Sequence, residues 1–318
     1  MAKSLKLLKN IVPLGLGLYL VYFSFANTSE EDRLQIFAAI KQADLTVVFL
    51  SLVFGALSHL SRAYRWNFLL KPLGYQPSFT IRTLTVLIAY FSNLGIPRSG
   101  EVLRATALAT YAGVPFQKGF GTIVTERIID LILLFSFIGL GFLLHSELIL
   151  DIIGNPTLNV YILLWVVGIA VLFFVFIKKL KRSQKAWATK LMGFFNGLWS
   201  GMLSVRSMEN KWAFIAHTLF IWLMYLMMFW VVTFALPETS GLSLSAIIPA
   251  FIAGGFAMSA TNGGIGLYPL AVAAVLQAFD VPYPDALAFG WVMWTGQTIM
   301  IVIFGSLSFL LLPIFSKK

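Results

Sequence analysis

Charge is scarce in this chain, and six charged side chains fall within or beside stretches that are otherwise apolar. They are Arg98, Glu101 and Arg104, then Glu126, Arg127 and Asp130. Each such charge costs roughly 2.5–3.5 kcal/mol at a membrane-helix centre on insertion scales, so its default reading is a partner, a wet cavity or a substrate path. The first trio belongs to the run Asn93-Leu94-Gly95-Ile96-Pro97-Arg98-Ser99-Gly100-Glu101, continuing to Arg104. Pro97 removes a donor, and Gly95 and Gly100 permit unusual backbone angles. The expectation is a hairpin tip with exposed amides and two cations, Arg98 and Arg104, a combination that suits a phosphate. Glu101 has the spacing to pair with Arg104, or to take up a proton. The competing reading is a tip whose charges simply reach the headgroups.

In the second trio, Glu126 and Asp130 share a helix face and Arg127 reaches Asp130 three residues on. Glu126 lies only ~10 Å into its predicted helix, close enough to the boundary to snorkel. The trio reads as a pathway or gating cluster, or as a structural ion-pair network. Arg62 and Arg65, three apart beside Tyr64 and Trp66, read as an interfacial anchor or as headgroup contacts. An uncharged second break, Thr261-Asn262-Gly263-Gly264-Ile265-Gly266, sits in the other half of the chain. Its glycines allow close helix approach or an anion nest of bare amides, and Asn262 is placed to cap the half-helix that follows. Trp291, Trp294 and Gln297 share a face of the last span. Gln297 is expected to bond another helix, and the tryptophans to pack or to form a membrane belt.

The elements that must hold these groups are set by composition. The 318 residues are 59% hydrophobic and 11% charged, with a mean hydropathy of +0.86, which defines a polytopic membrane protein. With no cysteine, thiolate chemistry, iron–sulfur ligation and disulfides are excluded. Three scattered histidines give no metal site, and no cofactor is expected. The net charge of +10 maps to loops between spans, so it reports topology rather than nucleic-acid binding.

Apolar stretches lie near 11–26, 45–61, 83–95, 119–144, 159–177, 212–235, 247–261, 264–279 and 288–312. A full crossing needs ~20 residues, and three of these stretches are short. The N-terminal lysines, Arg62 to Arg82, the 178–211 loop and Lys317-Lys318 are assigned to the cytoplasm; the acidic connections, from Glu30 to Asp44 first, are assigned outside. Segments 83–117 and 247–279 must then each enter and return on one side. The fold expected is all-α: six full transmembrane helices plus two opposed re-entrant helical hairpins, like an inverted repeat. Residues 1–318 form one integral membrane domain, with halves 1–177 and 212–318 joined by the basic loop 178–211. That loop, with its tryptophans and phenylalanines, reads as an amphipathic surface helix or a plain connector. The N-terminus is read as a retained helix, with a cleaved signal peptide ending at Ser24-Phe25-Ala26 as the alternative. The location expected is the inner (plasma) membrane, with both termini cytoplasmic.

Four motifs in order carry a family resemblance: Arg62-Ala63-Tyr64-Arg65-Trp66 with Leu69-Leu70, Asn93 through Arg104, Thr125-Glu126-Arg127-Ile128-Ile129-Asp130, and Asn262-Gly263-Gly264-Ile265-Gly266. Together they resemble the lysylphosphatidylglycerol synthase transmembrane region, also called the flippase-like or UPF0104 family. The resemblance covers nearly the whole chain and implies lipid handling in the membrane. It marks Arg62, Arg65, Asn93, Pro97, Gly100, Glu101, Arg104, Glu126, Arg127, Asp130, Gly263, Gly264 and Gly266 as site or hairpin positions. No soluble aminoacyl-transferring domain accompanies these motifs, so synthesis of an aminoacylated lipid is not expected. Family members often carry a glutamate just after the G-G-x-G run, where this chain has Tyr268 and Pro269; the resemblance does not extend there.

The expected function is therefore a flippase or transporter, not an enzyme, for a lipid with a phosphate-bearing headgroup, either an anionic phospholipid or a polyprenyl phosphate. No Walker A, G-x-S-x-G or H-E-x-x-H pattern is present. The rivals are an integral-membrane glycosyl- or headgroup-transferase acting on a lipid phosphate, and a non-transporting partner of a separate lipid-modifying synthase. A separate lipid-modifying enzyme and a second copy of the chain are left open as protein partners.

Overall fold

The computed structural model describes residues 18–24, 26, 28–96, 98–144 and 186–316. Pro97, the predicted span 159–177, most of the 11–26 stretch with its cleavage-site reading, Glu147, Asp151 and the terminal lysines lie outside them. Every regular element among the described residues is helical. The elements are α1 (Glu30–Gln42), α2 (Leu45–Leu70), α3 (Phe79–Gly95), α4 (Ser99–Ala112), α5 (Phe116–Leu144), α6 (Ala186–Leu203), α7 (Lys211–Val232), α8 (Leu244–Ala260), α9 (Leu267–Gln277) and α10 (Tyr283–Phe315).

Among the described residues, three helices are long and apolar enough to cross a membrane: α2 and α7, each with a 3₁₀ extension, and α10. Helix α8 and helix α9 are apolar but shorter. Helix α5 has 29 residues, with Glu126, Arg127 and Asp130 along it.

Helix α10 organises the rest. Its 33 residues span about 50 Å at 1.5 Å per residue, whereas α3, α4, α8 and α9 have 17, 14, 17 and 11 residues and reach about half that or less. Helices α3 and α4 pack as one hairpin, and α8 and α9 as another. The α8–α9 hairpin leans on the first part of α10, where Gly290 has no side chain and lets the Pro269 backbone come close; a Cβ there would lie 2.7 Å from Pro269 Cα. The α3–α4 hairpin leans on the later part, where Gly305 admits Phe91 and the Leu87 carbonyl. Gly290 and Gly305 are about 22 Å apart along the helix. The hairpins are thus stacked end to end, and their tips touch: Asn262 Nδ2 donates to the Gly95 carbonyl at 2.8 Å, and Gly263 packs on Leu94. Trp294 of α10 fixes the junction by donating its indole N–H to the Gly263 carbonyl at 2.8 Å. Gln297 does bond another helix, at Met258 Sδ of α8.

Two connections carry more structure than expected. The acidic stretch after residue 28 is the helix α1, which packs on α10. Ser29 caps it by accepting from the Asp32 amide, and Glu30, Glu31 and Asp32 favour its first turn. Asp44 then caps α2, and the Thr46 and Val47 amides hold its carboxyl below the ordinary carboxylate range. The second is the 178–211 loop, which contains α6. Gly197 and Gly201 of α6 pack closely on Gln117, the Lys118 carbonyl and Gly121 of α5, so a plain connector is excluded for that part.

Candidate functional site

Helix α2 carries Arg62, Arg65 and Trp66 on one face, because positions three and four apart are neighbours on a helix. Helix α5 carries Glu126, Arg127 and Asp130 by the same spacing, and Arg104 comes from α4. The fold brings these side chains into one cluster, buried except for Arg127, whose side chain is 38% exposed. Arg62 Nη1 donates to Asp130 Oδ2 at 2.8 Å, and Arg65 pairs with Asp130 at 3.4 Å and Glu126 at 3.7 Å. Arg104 Nη1 donates to Glu126 Oε2 at 2.6 Å, and Arg127 pairs with Asp130 at 3.6 Å. Arg65 also donates to Thr218 Oγ1 of α7 at 2.9 Å. Arg104 stacks over the Trp66 ring at 3.7 Å, while Trp66 donates to Thr122 at 2.8 Å.

This geometry corrects several expectations. Arg62 and Arg65 are buried rather than interfacial anchors. Glu126 is fully buried, about 15 Å into α5, and does not snorkel. Arg104 takes Glu126, an acid on another helix, in preference to Glu101, and Glu101 forms no ion pair among the described residues. Gly95 and Gly100 keep ordinary backbone angles; the left-handed residue at the first tip is Arg98, at φ 62°. Gly100 serves close approach instead, since a Cβ there would collide with the Ala89 carbonyl. Two of the tip amides are already bonded: Ser99 N–H donates to the Ile96 carbonyl, and Gly100 N–H to Asn93 Oδ1 at 2.7 Å. Asn262 bonds across to the other hairpin, and Gly266 takes the cap position of α9. The glycines of the second tip do use left-handed angles, at φ 59° for Gly263, 79° for Gly264 and 71° for Gly266.

Four guanidiniums, from Arg62, Arg65, Arg104 and Arg127, share two carboxylates, from Glu126 and Asp130. Even with Glu101 included, cations exceed acids by one. The Nε atoms of all four arginines and Nη2 of Arg104 are buried without a protein hydrogen-bond partner among the described residues. A narrow cavity of about 30 Å³ lies against them, lined by Arg62, Arg104, Arg127, Glu101, Asn93 and Tyr90 among others. That space holds about one or two waters and is too small for a phosphate. Arg98 stands apart from the cluster, on a larger groove that shares Glu101 and Arg127 with this cavity.

Sequence reasoning missed Tyr90, Tyr225 and His59. Tyr90 and Tyr225 join their hydroxyls at 2.9 Å, and the His59 ring lies 4.3 Å from that of Tyr90. His59 and Arg62 are three apart on α2, which was the available signal.

Long apolar helices, stacked half-length hairpins and an arginine–carboxylate cluster between α2, α4 and α5 define an integral membrane protein. The chain belongs to the family described as Lysylphosphatidylglycerol synthase TM region, whose profile matches residues 10–305. It is 27% identical over 109 residues to the glycosyltransferase AglD of Haloferax volcanii, covering 34% of this chain and 18% of that protein. It is 30% identical over 124 residues to a UPF0104 membrane protein of Methanocaldococcus jannaschii, covering 37% and 35%. A UPF0104 membrane protein of Pyrococcus horikoshii matches at 26% over 162 residues, covering 48% and 47%. The chain therefore spans from under a fifth to about half the length of these curated relatives. No solved structure matches it.

Proposed function

We propose that this protein moves a phosphate-bearing lipid headgroup across the plasma membrane. The observation that carries the reading is the excess of guanidinium over carboxylate, with N–H groups that have no protein partner among the described residues and a small cavity lined by Arg62, Arg104 and Arg127. Guanidinium forks match phosphate oxygens in geometry and charge. Binding would let Arg104 and Arg127 exchange carboxylate partners for phosphate, whose charge would offset the cationic excess of the empty cluster. Six crossings and two opposed re-entrant hairpins fit the charge of the loops, with both termini inside; rocking of one hairpin against the other would then open the site to each face in turn. The acyl or isoprenoid chains need not enter the polar site while the headgroup crosses. Release requires modest affinity, which the internal carboxylates supply by competing for the same arginines.

The test is translocation in proteoliposomes with headgroup-labelled anionic phospholipids and polyprenyl phosphates, comparing the unaltered protein with Arg104→Ala and Glu101→Gln at matched insertion. Transport of one lipid class, lost in both variants, is the expected result. Absence of transport by folded protein under a pH gradient and under a membrane potential would remove the flippase reading. The similarity to a glycosyltransferase gives the transferase reading its support, although the matched region is only 18% of that protein. Covalent change of the lipid on incubation with sugar or aminoacyl donors would favour it.

A further inference from the structure

We infer that the groove between α4 and α5 seats a hydrocarbon chain of the same lipid, so that the ligand is lipid-borne rather than a free phosphate. The inference rests on the proposed anion site and names the part of the ligand outside it. The groove has a volume of about 300 Å³, ten times that of the cluster cavity. Its walls are apolar, from Val102 on α4 and Phe120, Val124, Ile128 and Leu131 on α5. Val102, Ile128 and Leu131 are exposed, so the groove is open to the outside of the protein along the helices. Its polar members are Arg98, Glu101 and Arg127, and the last two also line the cluster cavity. The two spaces therefore meet at one carboxylate and one guanidinium.

That layout matches an amphiphile, with hydrocarbon along α5 and an anion at Arg127, whose Nε is buried without a protein partner. A soluble anion needs the cations but not the apolar walls. Hydrocarbon gains little by leaving lipid for protein. The groove must therefore act by shape, holding one chain beside the cluster while the headgroup cavity is still closed. Arg98 at the groove would draw the phosphate inward, and Glu101 would mark the point where the headgroup passes from groove to cluster.

The experiment compares two probes on purified protein in detergent: a long-chain monoacylglycerol phosphate carrying a terminal photoreactive diazirine, and glycerol phosphate. Binding of each is read by competition, and the diazirine adducts are mapped by mass spectrometry. The long-chain probe is expected to bind and to label the groove faces of α4 and α5. Ile128→Trp should lose long-chain binding and keep that of glycerol phosphate. The chain lacks cysteine, so Ile128→Cys alkylated with a bulky maleimide after folding gives the same blockade without a folding demand. Undiminished long-chain binding to the alkylated protein, or adducts confined to other helices, would overturn the groove. Arg127→Gln separates the two claims: loss of both probes in this variant alone would sustain the phosphate site and reject the groove. Loss in the alkylated protein alone would sustain the groove and reject the phosphate reading.

Discussion

Removing the counter-charge of a buried guanidinium leaves an uncompensated charge and costs several kcal/mol, so single deletions report how the cluster shares its charge. Glu126 accepts from Arg104 at 2.6 Å and faces Arg65 at 3.7 Å, with no exposure to solvent. Glu126→Ala is expected to destabilise the protein by about 3–5 kcal/mol. Glu101→Ala breaks no ion pair and should cost about 1 kcal/mol or less. Thermal unfolding in detergent distinguishes them; equal losses would mean that Glu101 is the true partner of Arg104. Arg98 supplies a second test. It occupies a left-handed conformation at φ 62°, which costs a non-glycine residue about 1–2 kcal/mol. Strain kept at a charged tip argues that the cation is needed there. Arg98→Gly should therefore raise stability while weakening binding of the long-chain phosphate probe. A variant that is both more stable and fully competent would show the arginine to be dispensable. At this scale the sequence was half legible. Spacing within one helix revealed that Arg127 could reach Asp130. It could not reveal that Arg104 would pass over Glu101 for Glu126, because that pairing depends on how α4 lies against α5.

Helix-scale behaviour turns on two glycines that look alike in sequence. Both Gly95 and Gly100 flank the first tip, yet only Gly100 faces a neighbouring backbone, the Ala89 carbonyl, while a Cβ on Gly95 would meet nothing within 4 Å. Gly100→Ala should force α3 and α4 apart at a cost of about 1–3 kcal/mol. Gly95→Ala should be neutral or mildly stabilising, because alanine restricts the unfolded chain and suits a helix end. Melting temperatures of the two variants, measured side by side, check this; similar losses would place Gly95 in a close contact as well. Hairpin length was readable from the short apolar runs and tip position from the Gly-Pro punctuation. Helix α1 was not read, because its acidic first turn resembles a solvent loop to a hydropathy scan. Its signal was the Ser29 cap with Asp32 three residues on.

At the scale of the whole molecule, the end-to-end stacking of the hairpins along α10 has a consequence that needs no assumption about substrate. Each hairpin starts and finishes on one side of the junction between their tips, and α10 runs past both. If α10 spans the bilayer, the outer ends of the first hairpin must face one compartment and those of the second the other. In the proposed topology, the basic residues before α3 put the first hairpin's ends in the cytoplasm. Because the chain has no cysteine, single cysteines report accessibility directly. Gln76→Cys and Pro115→Cys, at exposed positions beyond the two ends of the first hairpin, should resist an impermeant maleimide in intact cells and react after lysis. Ser240→Cys and Ala278→Cys, exposed beyond the ends of the second, should react in intact cells. Labelling of Gln76→Cys and Pro115→Cys from opposite faces would turn the α3–α4 hairpin into a pair of crossings with no re-entrant tip. The cluster would then sit beside a boundary rather than at the middle of the membrane, and a headgroup path through it would lose its geometry. Agreement of all four positions would put the touching tips between the two faces, which is where an alternating-access site is expected.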